Sequence, residues 1–225
     1  MGEHVTLRTS DGFELDGYVA RPTREPIAGL VVVQEAFGVN SHIRSVTDGW
    51  ARDGFLAVAP ALFDRVERGV ELTYTPEDMQ KGMALIRQGD TADRVKDLAA
   101  AIDYARRETG KKVGVIGYCL GGSMAWLAAT RLNPDAAVGY YGGGIIGLKD
   151  LKPKVPTLLH FGEKDAHIPI PGVKEVAAAH PEVSIFWYEG AGHGFNTSDR
   201  ASYHAGAAKL ARERSLEFLM KHLTA

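Results

Sequence analysis

The chain has 225 residues, of which 45% are hydrophobic and 24% are charged, and its formal net charge is -2. These proportions are those of an ordinary globular protein, so they exclude a disordered or fibrous chain. The balanced charge and the scattered basic residues exclude an electrostatic surface for nucleic acid, and we expect no nucleic-acid partner. A chain of this length can bury its core around one sheet, so residues 1–225 are expected to form a single domain.

The first residues and the cysteine content bear on the compartment. The opening segment, MGEHVTLRTSDG, lacks a basic region followed by an apolar stretch, and no segment approaches the ~20 apolar residues that span a bilayer. We therefore expect a cytoplasmic protein without a membrane partner. The single cysteine, Cys119, excludes an internal disulfide and a cysteine-based zinc site. No metal or cofactor is expected.

Short apolar segments bounded by turn residues alternate along the chain with longer segments of helical periodicity. This pattern predicts an α/β protein in which a mostly parallel central sheet carries helices on both faces. An opening hairpin is expected from Val5 to Thr9 and from Leu15 to Ala20. Six more strands are predicted at Gly29 to Gln34, Leu56 to Ala59, Val113 to Ile116, Ala136 to Tyr140, Thr157 to Phe161 and Val183 to Tyr188.

Helices are predicted where apolar residues recur at helical spacing between these strands. The predicted helices are Ile43 to Asp53, Asp93 to Glu108, Ser123 to Leu132, Val173 to Ala179 and Ala205 to Leu223. Residues 63–80 show only weak periodicity, and no element is assigned to them. The linkers are loop-sized and no repeat of fixed period occurs, so no domain boundary is expected.

A cysteine stands in a strand-to-helix turn of the form Gly-x-Cys-x-Gly. The predicted strand Val113 to Ile116 leads directly into Gly117-Tyr118-Cys119-Leu120-Gly121-Gly122. In a nucleophile elbow the middle residue takes a strained backbone conformation, and the flanking glycines remove clashes between the strand and the helix. A lone cysteine is more often a small buried hydrophobe. The glycines on both sides, together with the change from strand to helix, instead favour Cys119 as a nucleophile at a helix N-terminus.

An acid and a histidine follow later strands in the order of an α/β-hydrolase, with the nucleophile first and the histidine last. Asp165 follows the strand Thr157 to Phe161, and the glycine-flanked His193 follows the strand Val183 to Tyr188. The carboxyl ends of parallel strands meet at one edge of a sheet, so these side chains are expected to converge there. Glu163 lies in the same loop as Asp165 and stays open as an alternative acid.

These residues predict covalent catalysis through a Cys-His-Asp triad on an α/β-hydrolase fold. His193 would support the thiolate of Cys119 and later deliver a proton, while Asp165 would orient the imidazole and stabilise its charged form. The backbone N–H groups of Leu120 and Ala36 are expected to form the oxyanion hole.

Further motifs accompany the elbow along nearly the whole chain. They are Gln34-Glu35-Ala36-Phe37-Gly38-Val39-Asn40, Val138-Gly139-Tyr140-Tyr141-Gly142 and Trp187-Tyr188-Glu189-Gly190-Ala191-Gly192-His193-Gly194-Phe195. With these motifs the chain resembles the dienelactone hydrolases, or carboxymethylenebutenolidases. A cysteine elbow combined with QE-x-FG is specific to that resemblance, because ordinary serine esterases of the same fold lack both features.

The resemblance implies a role for Glu35 that spacing alone does not reveal. In the resting enzyme it would contact the Cys119 thiol, and substrate binding would shift it so that it takes the thiol proton. A buried carboxylate beside the sulfur would keep that sulfur protonated, because two adjacent negative charges repel each other. Phe37, from the QE-x-FG motif, and Tyr118, from the elbow, are expected to contact the substrate.

The chain departs from the family at the two arginines that bind the substrate carboxylate. Thr197 stands at the position of the arginine that follows the catalytic histidine. Gln80, Lys81 or Gly82 occupies the position of the other arginine, which precedes the elbow. Thr197, Lys81 and Arg200 are therefore candidate substrate-binding residues, and the dienelactone substrate itself is not carried over with the hydrolase machinery.

The sequence predicts a hydrolase of a small ester or lactone, acting as a monomer or small homo-oligomer without cofactor or metal. A second interpretation is a broader carboxylesterase or thioesterase that uses the same residues. A third is a non-catalytic binding protein that senses redox state through Cys119. The ordered set of acid and histidine disfavours the third interpretation, because a sensor needs neither.

Overall fold

The computed structural model describes residues 2–224, and its centre is one sheet of eight strands. The strands are β1 (Glu3–Arg8), β2 (Glu14–Ala20), β3 (Gly29–Val33), β4 (Leu56–Pro60), β5 (Val113–Tyr118), β6 (Ala136–Tyr140), β7 (Thr157–Gly162) and β8 (Ser184–Tyr188). Their order across the sheet is β1-β2-β4-β3-β5-β6-β7-β8. Strand β2 runs antiparallel to both β1 and β4, and all other neighbours are parallel.

Six α-helices and one 3₁₀ helix connect these strands within residues 2–224. The α-helices are α1 (Ser41–Arg52), α2 (Pro76–Gln88), α3 (Thr91–Thr109), α4 (Leu120–Arg131), α5 (Ile170–Ala179) and α6 (Ala205–Leu223), and the 3₁₀ helix is Gly143–Leu148. No helix in this part of the chain combines the length and the apolar character needed to cross a bilayer.

The pleat of the central strands divides the core between the two faces of the sheet. In β3, Leu30 and Val32 belong to the cluster that contains Trp50 of α1 and residues of α6. Val31 and Val33 point the other way, into the cluster under α3 and α4. Alternate residues of a strand face opposite sides, so an unbroken apolar run can serve both clusters. The prediction of a mostly parallel sheet with helices on both faces is confirmed.

The prediction missed two elements, and both lie beside the functional site. Helix α2 begins after the N-cap Thr75, whose side chain accepts a hydrogen bond from the Asp78 amide, and Pro76 occupies its first turn. Thr-Pro followed by acidic residues is a helix-start signal. The apolar periodicity was weak because only Gly82 and Leu85 of this helix are buried. The second missed element, the 3₁₀ helix, is rich in glycine and has no recognisable apolar period.

Candidate active site

The elbow has the strained geometry that its glycines permit. Cys119 lies between β5 and α4 with φ 55° and ψ -112°, a region that side chains rarely adopt. A Cβ at Gly117 would lie 1.9 Å from the carbonyl oxygen of Gly121, and a Cβ at Gly121 would lie 2.3 Å from that of Val33. Without side chains at these two positions, the helix can start directly over the end of the strand.

The sequence-predicted nucleophile, histidine and acid lie in hydrogen-bonding contact. His193 Nε2 is 3.2 Å from Cys119 Sγ, and His193 Nδ1 is 2.8 Å from Asp165 Oδ2. The other carboxylate oxygen of Asp165 accepts a hydrogen bond from the His167 amide at 2.8 Å. Glu163, the alternative acid, instead accepts a hydrogen bond from the Gly190 amide and is exposed. The geometry therefore favours Asp165 over Glu163.

His193 is held in a charged form across neutral pH. Burial alone would lower its pKa, but the hydrogen bonds to Asp165 and to Cys119 outweigh burial and raise the pKa of His193 from 6.5 to about 10. A protonated His193 donates from Nδ1 to the carboxylate and from Nε2 to the sulfur. The sulfur also lies at the N-terminus of α4, where the helix dipole favours a nearby negative charge.

Two backbone amides are positioned to bind an oxyanion. Leu120 is the first residue of α4 and Ala36 lies in the loop after β3, and both line the cavity beside the sulfur. Among the described residues, neither amide donates to a protein group. The amide of Leu120 is one of the unpaired donors of a helix first turn. Such free donors beside a nucleophile have the chemistry of an oxyanion hole.

Glu35 is buried, and it contacts Thr197, one of the candidate substrate-binding residues. The hydroxyl of Thr197 donates to both carboxylate oxygens of Glu35, at 3.2 and 3.3 Å. Thr197 is itself buried and does not line the cavity, so the expectation that it contacts substrate is corrected. The resting contact between Glu35 and the thiol is corrected as well, because the Cys119 sulfur pairs with His193 instead. Burial, together with the nearby Glu35 and Cys119, raises the pKa of their common neighbour Tyr141.

A cavity of about 680 Å³ opens over the sulfur. Its reactive end is lined by Ala36, Phe37, Cys119, Leu120, His193 and Arg200. The Arg200 guanidinium lies over the rings of Phe37 and Tyr74, at 5.8 and 6.0 Å from their centres. Among the described residues no carboxylate forms an ion pair with Arg200. Phe37 and Arg200 therefore lie where residues that bind the substrate are expected.

Two other candidate substrate residues lie away from this cavity. Lys81 is exposed, and its Nζ pairs with Glu67 at 2.7 Å. The Tyr118 ring is buried against the Tyr140 ring. Tyr118 directly precedes Cys119, and successive side chains of a strand point to opposite faces of the sheet. At position 82 a Cβ would lie 2.1 Å from the Ala36 carbonyl oxygen, so glycine lets α2 pack directly on the loop after β3. The assignments of Lys81 and Tyr118 to substrate binding are corrected.

The chain matches a family of known proteins over nearly its whole length. Residues 15–223 match the dienelactone hydrolase family. The chain belongs to that family. It is 37% identical to a carboxymethylenebutenolidase of Pseudomonas putida in an alignment 225 positions long, which covers 96% of this chain and 95% of the relative. It is 35% identical to a putative carboxymethylenebutenolidase of Synechocystis over 95% of this chain and 94% of that protein.

A solved structure extends the likeness to the fold. The crystal structure of a putative dienelactone hydrolase from Klebsiella pneumoniae superposes with a TM-score of 0.84 at 30% identity, over 98% of this chain and 99% of that one. As a dienelactone hydrolase family member, the chain has the α/β-hydrolase fold and is a carboxylic ester hydrolase. The predictions of family, fold class and enzyme class are confirmed.

Several residues that line the cavity are not predicted from the sequence. His167 lines the cavity and its ring lies 5.4 Å from that of His193. Its position two residues after Asp165, in the acid loop, was the available signal. Ser123 on α4 and the apolar side chains of α2 also line the cavity. They could not be found because no motif marks them and α2 itself was not predicted. Within residues 2–224, no group of His, Cys, Asp or Glu is arranged to hold a metal ion.

Proposed function

We propose that this chain hydrolyses carboxylic esters or lactones through a covalent thioester on Cys119. The observation that carries the proposal is the continuous chain of contacts from Cys119 Sγ through His193 to Asp165, at 3.2 and 2.8 Å. The sulfur sits at a strained elbow and opens into a cavity. A redox-sensing cysteine would need neither the acid nor the oriented imidazole.

In the first half-reaction the Cys119 thiolate attacks the carbonyl carbon of the substrate. The negative charge moves to the carbonyl oxygen, where the amides of Leu120 and Ala36 stabilise it. When the tetrahedral intermediate collapses, the carbon–oxygen bond to the alkoxide breaks and His193 gives that oxygen its Nε2 proton. The product is a thioester on Cys119 together with an alcohol. A lactone keeps both parts in one molecule.

The second half-reaction returns the enzyme to its starting state. Neutral His193 accepts a proton from water as the water oxygen attacks the thioester carbon, and the same two amides bind the oxyanion. Collapse of this intermediate expels the Cys119 thiolate and releases a carboxylic acid. His193 is protonated again, and Asp165 stabilises its charge in both halves of the cycle.

Glu35 is proposed to tune the resting sulfur rather than to react. It is buried, and its partner, the hydroxyl of Thr197, is a neutral hydrogen-bond donor. A buried negative charge near the elbow raises the free energy of the Cys119 thiolate and limits its reaction with other electrophiles. The imidazolium of His193 opposes that effect.

Arg200 is proposed to recognise an anionic group of the substrate near the reactive centre. It lines the cavity beside Phe37 and has no carboxylate partner among the described residues. The family relatives are named for a lactone that bears a carboxymethylene group, which a guanidinium at this place could bind. The anion would be held at the same end of the cavity as the sulfur.

The test compares an aryl acetate, a dienelactone and the corresponding thioester with wild type and Cys119→Ala. Hydrolysis by wild type, its loss in Cys119→Ala, and its loss on stoichiometric alkylation would support the proposal. Trapping a thioester-linked acyl group on Cys119 by mass spectrometry would identify the intermediate. Turnover that survives complete alkylation of the thiol would contradict it.

A further inference from the structure

The catalytic cavity continues well beyond the reactive end as a groove between two helices. One wall is a stripe of α4 at three- and four-residue spacing, formed by Leu120, Ser123, Leu127 and Arg131. The facing wall comes from α2 and consists of Met79, Met83 and Ile86. The α4 wall starts at the elbow, because Leu120 directly follows Cys119, which lines the same cavity. The groove is therefore continuous with the sulfur.

The length of the groove exceeds what a small lactone or an acetyl group fills. Leu120 and Arg131 lie eleven residues apart on one helix, which corresponds to about 17 Å at the rise of an α-helix. The side chain of Met83 is 40% exposed, although it is large and apolar. Met83 belongs to the α2 wall, and an apolar ligand in the groove would cover this exposed side chain.

The charges along the groove select against one class of substrate. Among the described residues that line the cavity there is no Asp or Glu. Arg94 is fixed at the far end, where its guanidinium donates to the carbonyl oxygens of Leu85 and Ile86. Arg131 forms no ion pair with any described residue. An apolar chain, with a neutral or anionic end, matches these walls, and a cationic chain does not.

We propose that the groove binds an extended apolar chain of the substrate, of up to about twelve carbon atoms, since each carbon–carbon bond advances an extended chain by about 1.3 Å along the α4 wall. This inference rests on the proposed ester hydrolysis at Cys119. It assigns to the enzyme a preference for medium-chain esters over acetates, with the chain lying along α4 from the sulfur towards Arg131. The chain belongs to the acyl group or to the alcohol, and the same walls would hold either.

Two substrate series distinguish these arrangements. The first contains p-nitrophenyl acetate, butyrate, octanoate and dodecanoate, and the second contains acetate esters of ethanol, butanol, octanol and dodecanol. Each added methylene that enters the groove should raise kcat/KM roughly fourfold, with a plateau once the groove is filled. The series that shows the rise identifies the side of the scissile bond that occupies the groove.

Matched variants test whether the preference for longer substrate chains arises in the groove. Met83→Glu puts a charge on the α2 wall and should reduce the ratio of kcat/KM for octanoate over acetate at least tenfold. Met220→Glu is the control, because Met220 has a similar exposure of 37% but lies on α6, away from the groove. It should leave the ratio unchanged. Leu127→Trp should block the groove midway and abolish the gain from butyrate to octanoate.

The outcomes separate this inference from the proposed function. If acetates are hydrolysed through Cys119 but neither series rises with chain length, the groove inference is wrong and the ester hydrolysis stands. An equal loss of ratio in Met83→Glu and Met220→Glu would also overturn it. If no ester in either series is hydrolysed, the proposed function itself fails.

Discussion

The hydroxyl of Thr197 donates to both carboxylate oxygens of Glu35, and the two side chains are buried although 162 residues separate them in sequence. The contact joins the loop after β3 to the loop after β8, across the edge of the sheet that carries Cys119. The partner of this buried carboxylate is a neutral hydroxyl, and the pair underlies the first two predictions.

Removal of the Thr197 hydroxyl should destabilise the fold. Thr197→Val leaves the Glu35 carboxylate buried without this donor and should lower the free energy of unfolding by about 2 kcal/mol. Urea denaturation of Thr197→Val, Glu35→Gln and the double variant measures the coupling between the two positions. The double variant should lose less free energy of unfolding than the two single variants lose together, because no buried charge is left unpaired. Additive penalties would show that the contact contributes nothing.

Neutralising Glu35 should make the resting thiol more reactive. Glu35→Gln removes a buried negative charge near the elbow, which lowers the free energy of forming the Cys119 thiolate. The rate of alkylation by iodoacetamide at neutral pH should rise several-fold, with Glu163→Gln as the control on an exposed carboxylate. An unchanged rate in Glu35→Gln would place this carboxylate outside the electrostatic environment of the sulfur.

Replacing Cys119, the proposed nucleophile, should abolish hydrolysis without unfolding the protein. Cys119→Ala removes the sulfur, and its turnover should fall to the background rate. Because Cys119 has a positive φ of 55°, Cys119→Gly should be more stable than Cys119→Ala by about 1 kcal/mol. Thermal denaturation of the two variants checks the strain, and the esterase assay checks the role. Wild-type turnover in either variant would reject Cys119 as the nucleophile.

The pH dependence of hydrolysis should report the raised pKa of His193. The interactions that raise this pKa stabilise the folded state below pH 6.5, where the imidazole is protonated in both folded and unfolded chains. That stabilisation is lost as the pH rises through about 10, and kcat/KM should fall over the same range as the imidazolium deprotonates. Asp165→Asn should lower the pKa of His193 and move this alkaline limb to lower pH. Glu163→Gln should leave the limb in place.

The triad contacts also set an order among the losses of rate. His193→Ala removes the proton donor and should reduce kcat on the order of a thousandfold, whereas Asp165→Asn keeps an imidazole and should cost less. Single-turnover assays with an aryl acetate measure both. A harmless Asp165→Asn together with a damaging Glu163→Gln would show that the acid has been misassigned.

Arg200 should decide selectivity for anionic substrates. Arg200→Ala should reduce the ratio of kcat/KM for a dienelactone carboxylate over a neutral ester by about ten- to a hundredfold, since it removes a charge-assisted hydrogen bond. Lys81→Ala is the matched control, because Lys81 pairs with Glu67 outside the cavity. If Lys81→Ala changes the ratio and Arg200→Ala does not, the recognising cation is Lys81.

Local sequence was sufficient to predict the strands and the elbow. Buried parallel strands require continuous apolar runs, and the close approach of β5 and α4 requires glycine at 117 and 121, so both leave clear patterns in sequence. The positions of Cys119, Asp165 and His193 relative to one another followed from strand order alone, since each residue comes at the carboxyl end of a parallel strand.

Only the tertiary structure decided which other residues surround the sulfur. Helix α2 places Met79 and Met83 along the cavity and buries only Gly82 and Leu85, so its sequence lacks the apolar period by which helices are predicted. The packing of Gly82 on Ala36 directs Lys81 outward to Glu67, whereas Arg200 reaches the cavity. Thr197 faces Glu35 because the loops after β3 and β8 meet above the sheet edge. Contacts between segments distant in sequence depend on loop paths and helix packing, and neither leaves a periodic or motif signal in one chain.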